Sequence, residues 1–99
     1  MAQRKIKWSS RAVKEVEKIL SFWFYKNRSG TYSNKLNNSI NSVISLLAEQ
    51  PIIGRAIDKK YKIFYITHRS YRICYTYTSE ELIILCIWDN RRNPDKFKI

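Results

Sequence analysis

The chain predicts an α+β domain: an N-terminal strand, a helical hairpin, then a three-stranded antiparallel meander forming a twisted sheet with both helices on one face. Three observations predict it. The first half carries two apolar stripes at helical spacing. The second half carries three runs rich in β-branched and aromatic residues. The breaks within each half are only four or five residues long. At 99 residues the chain suits a single domain, 1–99, with one core.

Each element has its own warrant. Ile6 and Trp8 alternate with Lys5 and Lys7, the period of a half-buried strand. Ser9 or Ser10 can cap a helix over 9–27, in which Val13, Val16, Ile19, Leu20 and Trp23 share a face. The segment 27–31 breaks that helix, with Gly30 expected to supply the left-handed conformation. A second helix, 32–49, follows the stripe Leu36, Ile40, Val43, Ile44 and Leu47. Its other faces are filled by Asn and Ser, indifferent helix formers, so packing must hold it; Pro51 stops it. The short connection makes the two helices antiparallel neighbours. Strands follow at 61–66, 71–77 and 82–88, joined by loops 67–70 and 78–81. In the middle strand Tyr71, Ile73, Tyr75 and Tyr77 face one way, and Arg72, Cys74 and Thr76 the other. The last strand is apolar on both faces and should be the most buried. A polar tail, 89–99, closes the chain.

Charge narrows the function. There are 19 Lys+Arg against 8 Asp+Glu, a net charge of +11, spread over both halves of the chain. That exceeds the ~2–8 of an ordinary small domain, and the resulting field attracts polyanions: nucleic acid, ribosome or an acidic protein. No apolar run approaches the ~18 residues of a membrane span, and the basic start is followed by no apolar stretch, so a cytoplasmic protein is expected. Cys74 and Cys86 lie in apolar runs with no further ligand beside them, which predicts two buried free thiols and no metal. Phosphate-loop, dinucleotide and nucleophile-elbow motifs are absent, so neither a cofactor nor a small-molecule substrate is expected.

The remaining chemistry is basic. Lys62, Arg72, Arg91 and Arg92 stand out, with His68 at a turn. Antiparallel pairing through 67–70 puts Lys62 and Arg72 at opposite ends of their hairpin. The same pairing brings Arg72, Arg91 and His68 to one sheet end, where two guanidinium groups could grip a phosphate in bidentate fashion. Equally, Arg72 could pair with Asp89 and only orient the tail, and His68 could be an ordinary loop residue. Tyr61, Phe64, Tyr65, Tyr71, Tyr75 and Tyr77 read either as strand core or as base-stacking surface. Phe22, Phe24 and Tyr25 flank Leu20 and Trp23, leaving the end of the first helix apolar around most of its circumference. Such a helix end is either buried or awaits a partner.

Taken in order, the helical hairpin ending in Leu46-Leu47-Ala48-Glu49-Gln50-Pro51-Ile52-Ile53-Gly54-Arg55, then Tyr61-Lys62-Ile63, then Tyr71-Arg72-Ile73-Cys74-Tyr75, then the run from Ile83 through Trp88-Asp89-Asn90-Arg91-Arg92-Asn93-Pro94, resemble the RelE/ParE superfamily of bacterial toxins over nearly the whole chain. The resemblance implies the toxin of a type II toxin–antitoxin pair, neutralised by a cognate acidic antitoxin, for which Phe22, Phe24 and Tyr25 are the expected anchors. RelE-like members cleave mRNA on the ribosome; ParE-like members poison DNA gyrase. The RelE pattern's strand lysine and two arginines fall on Lys62, Arg72 and Arg91, the catalytic set expected of an endoribonuclease; because superfamily members use diverse residue sets, His68, Arg92 and Phe97 are candidate auxiliaries. The pattern's second strand lysine and its C-terminal tyrosine fall on Phe64 and Phe97, which neither move a proton nor hydrogen-bond a phosphate. The long hairpin and the Pro51-to-Gly54 segment resemble ParE, and the expectation leans to gyrase, with an endoribonuclease or an inactive nucleic-acid-binding module as alternatives.

Overall fold

A short strand running straight into a capped helix opens the fold. In the computed structural model, which describes residues 3–91, β1 (Lys5–Trp8) leads to α1 (Ser10–Asn27) and α2 (Gly30–Glu49), then a 3-10 turn (Pro51–Ile53). The strands β2 (Arg55–Asp58), β3 (Ile63–His68), β4 (Tyr71–Tyr77) and β5 (Glu81–Asp89) complete it. The sheet order is β1-β5-β4-β3-β2. β1 lies parallel to β5, from Lys5 opposite Glu81 to Trp8 opposite Ile84, and the other neighbours are antiparallel. The expected α+β architecture is present, with a mixed sheet and one more strand than the residue patterns indicated.

The extra strand has a local cause. Asp58 turns its carboxylate back to accept the backbone N–H groups of Lys60 (2.9 Å) and Tyr61 (3.3 Å). This side-chain turn takes residues 59–62 out of extended pairing, so the run beginning at Tyr61 enters the sheet only at Ile63 and the four residues before the turn pair back as β2. At the other end of β3, Thr67 and His68 are strand rather than loop. His68 pairs with Tyr71 around Arg69 and Ser70, with Arg69 in the left-handed region (φ 56°). The break between the helices differs too. Arg28, not Gly30, takes the left-handed position (φ 48°), and Ser29 caps α2 from Gly30 onward.

The core lies between the helices and β4–β5. Leu36, Ile40, Ile44 and Leu47 of α2 and Ala12 of α1 pack with Tyr71, Ile73, Tyr75, Leu82, Ile84 and Ile87. Each of these leucines and isoleucines contributes about 1.5–3 kcal/mol by leaving water. Val13, expected in the α1 stripe, sits at its rim and stays exposed, because Ala12 occupies the centre of the buried face. Ser9 joins helix to sheet: its Oγ accepts Ala12 N–H (3.0 Å), which caps α1, and donates to the Leu85 carbonyl (2.7 Å) on β5. Two residues on, Ile87 N–H donates to Glu15 Oε1 (3.0 Å). α1 therefore satisfies the edge of β5 where β1 stops.

The Pro51-to-Gly54 segment is a clamp on β4. The buried Tyr75 hydroxyl donates to the Pro51 carbonyl at 2.6 Å. A Cβ on Gly54 would stand 2.8 Å from Tyr75 Cζ and 2.9 Å from the Tyr65 carbonyl oxygen. Close approach, and not an unusual φ, requires glycine here.

Candidate functional site

The basic residues singled out in the sequence lie on three different surfaces. Lys62 sits in the β2–β3 turn, exposed and left-handed (φ 55°), its carbonyl held by Thr76 Oγ1 at 2.8 Å. Arg72 is on β4, opposite Thr67 and Trp88. Its side chain points away from the helices, and its guanidinium lies 4.5 Å from the centre of the Tyr65 ring. Lys62 is five positions from Thr67, which faces Arg72, a span of roughly 16 Å at ~3.3 Å per step.

Arg91 shares the sheet end with Arg72 but lies on the helix side. Asp89 faces Tyr71 in the register, so strand alternation puts it on the opposite face from Arg72. Asp89 takes Arg91 in a two-pronged grip, Nε to Oδ1 at 3.0 Å and Nη2 to Oδ2 at 2.8 Å. That bond, the largest influence on the group, raises the Arg91 pKa further above its ordinary value. The guanidinium also donates to the Tyr71 hydroxyl (3.3 Å) and lies over the Trp23 ring (5.2 Å). Trp23 Nε1–H donates to the same hydroxyl at 2.7 Å. Burial pushes the Tyr71 phenol upward, which keeps it a neutral hydrogen-bonding hub. Arg91 is thus a structural tie between α1 and the end of β5. The expected Arg72–Arg91–His68 cluster shares a sheet end but is divided between its faces.

His68 is also tied. Its Nε2 lies 3.0 Å from Ser39 Oγ, and Ser39 spends its own hydrogen on the Leu36 carbonyl (2.9 Å). With that hydrogen on the Leu36 carbonyl, Ser39 Oγ accepts from the Nε2-protonated tautomer of His68. Burial, and secondarily Arg69, lowers the His68 pKa below its ordinary value. The side chain that the sequence left as loop or catalyst instead pins β3 to α2. Phe64, in place of the pattern's second lysine, packs against Tyr75 and Tyr77, with ring centres 5.8 and 5.4 Å apart. Arg92 and Phe97 lie outside the described residues.

A second candidate surface runs along the end of α1. Phe22, Phe24 and Tyr25 are 50, 48 and 76% exposed, as the all-round apolar pattern anticipated. Beside Phe22 opens a cleft of about 270 Å³ between α1 and β5, lined by Glu15, Lys18, Ile19, Tyr71, Ile87, Asp89 and Arg91. The contribution of Glu15 and Asp89 to this cleft was not legible in the sequence, because both reach it through pairings that span the fold. Among the described residues no three His, Cys, Asp or Glu side chains gather to hold a metal, and no helix is long and apolar enough to cross a membrane.

Two helices on a five-stranded sheet are the fold expected from the RelE/ParE resemblance. A solved structure described as the chromosomal ParDE TA system from P. aeruginosa has the same fold, with a TM-score of 0.71 over 88% of this chain and 96% of that one, at 13% identity. No curated protein matches the sequence. The model of the ParE toxin of type II toxin–antitoxin system, parDE, matches residues 6–94, and the chain belongs to that family. It is the toxin component of a type II toxin–antitoxin module.

Proposed function

We propose that this toxin arrests bacterial growth in the cytoplasm by poisoning DNA gyrase, without hydrolytic chemistry of its own, and that an acidic antitoxin neutralises it at the aromatic end of α1. The separation of the basic residues carries the first part. In-line cleavage of RNA needs a charge-stabilising group and a proton-transfer group within a few ångströms of one phosphate. Here Lys62 and Arg72 lie at opposite ends of a strand pair, Arg91 is held by Asp89 on the other face, and His68 is engaged with Ser39. Phe22, Phe24 and Tyr25 support the second part, since exposed rings on a +11 body suit an acidic, apolar-studded segment that orders as it binds.

Induction of the toxin alone tests the mechanism. Arrested cells should filament and accumulate cleaved gyrase–DNA complexes while mRNA stays intact by primer extension. Codon-phased cuts that require ribosomes would overturn this reading in favour of the endoribonuclease. In that case Arg72→Ala should lower cleavage by at least tenfold.

A further inference from the structure

The two cysteines, twelve residues apart in sequence, are direct cross-strand partners: Cys74 of β4 faces Cys86 of β5 in the register. Both side chains point away from the helices, both are free thiols, and both are fully buried. The β4–β5 register shifts immediately after Cys74, so the pair sits beside the one bulge in this pairing. Directly opposed residues in antiparallel strands have Cα atoms ~4.5–5.5 Å apart, inside the range a disulfide spans. We infer that Cys74 and Cys86 are an oxidisable dithiol that closes into an intrachain disulfide and locks β4 to β5.

The surroundings favour the chemistry. The interaction between the two thiols pushes the Cys74 pKa well up and brings that of Cys86 down, and the positive charges of Arg11 and Arg72 act on both. Cys86 is therefore the sulfur readier to react as thiolate. With a peroxide as oxidant, the Cys86 thiolate attacks one peroxide oxygen, breaks the O–O bond and becomes a sulfenic acid, with loss of one water. The Cys74 sulfur then displaces the sulfenic hydroxyl, forming the S–S bond and releasing a second water. Two thiols and one hydrogen peroxide give one disulfide and two waters, the two electrons passing to the peroxide. Because both sulfurs are buried, the oxidant must reach them through local opening of β4–β5, so closure should be slow in the native protein and faster in mild denaturant.

The test uses the full chain with hydrogen peroxide, followed by alkylation and intact mass measurement. Closure predicts a monomer two mass units lighter that accepts no alkylating label. Cleavage after Glu80 and Glu81 should then release the segments holding Cys74 and Cys86 still joined, and dithiothreitol should part them. The oxidised protein should melt on the order of 10 °C higher, a gain that reduction removes and that Cys86→Ala never shows. Sulfinic acid as the main product, a disulfide-linked dimer, or two thiols that still take label after prolonged oxidation would each overturn the inference. So would an equal rise in melting temperature for Cys86→Ala.

Discussion

Tyr75 and Tyr25 place the same side chain in opposite circumstances. Tyr75 is fully buried on β4, its ring against Phe64 and its hydroxyl on the Pro51 carbonyl. Tyr25, in the last turn of α1, is 76% exposed, and its ring partner Phe24, 5.5 Å away, is itself 48% exposed. What separates them is the supply of interior. On the helix side, α2 and the α1 face that carries Ala12, Val16, Ile19, Leu20 and Trp23 already cover the sheet, and a domain this small has little further interior to offer. The β4 clamp buries its aromatics for stability, whereas the α1 end leaves its aromatics in solvent, on the surface proposed above for the antitoxin.

The sharpest way to break that contrast is at Gly54. Gly54→Val should cost more than about 3 kcal/mol, because the new side chain meets the Tyr75 ring and the Tyr65 backbone, neither free to retreat. Denaturant melts would measure it. A loss below about 1 kcal/mol would mean that the clamp is looser than its geometry.

At the other region the effect should fall on binding. Tyr25→Glu should lower antitoxin affinity about tenfold or more by calorimetric titration while moving stability by no more than about 0.5 kcal/mol. Phe24→Glu should behave alike. Unchanged affinity in both variants, with intact melting, would place the antitoxin anchor elsewhere.

Removing only the clamp's hydroxyl sharpens the comparison. Tyr75→Phe leaves the ring packed but the Pro51 carbonyl without its donor, an expected cost of about 1–2 kcal/mol. Tyr25→Phe should be silent in the same melts.

The smallest effect concerns His68. Its folded pKa lies below the ordinary 6.5, so the unfolded chain binds that proton more readily. Its contribution is therefore complete above pH 6.5 and declines as pH falls through 6.5 towards the folded value. His68→Gln keeps a donor for Ser39 but cannot titrate, so its melting temperature should fall less between pH 7 and about pH 5.5 than that of the wild type. Parallel curves would deny the histidine this role.

Several features were legible in the sequence because they depend on neighbours three or four residues away, or two. The α2 stripe Leu36, Ile40, Ile44 and Leu47 is buried as its period required, and β4 spans 71–77 as its alternation required. The exposed rings of α1 were legible for the same reason: a helix apolar on all sides cannot bury every side against one sheet. The resemblance to the toxin superfamily rested on the segments between Leu46 and Pro94 taken in their order and spacing.

Tertiary structure decided what depends on pairing across the chain. β2 was missed because Arg55-Ala56-Ile57-Asp58 is too short to show a period, and only the Asp58 turn and the β3 edge make it a strand. The division of Arg72 from Arg91 rests on which face each position presents and on Asp89 claiming one of them. The meeting of Cys74 with Cys86 rests on a register that one extra residue at the bulge shifts. Local patterns carry burial and periodicity; register and face arise only when distant strands come together, and a slip of one residue reverses them.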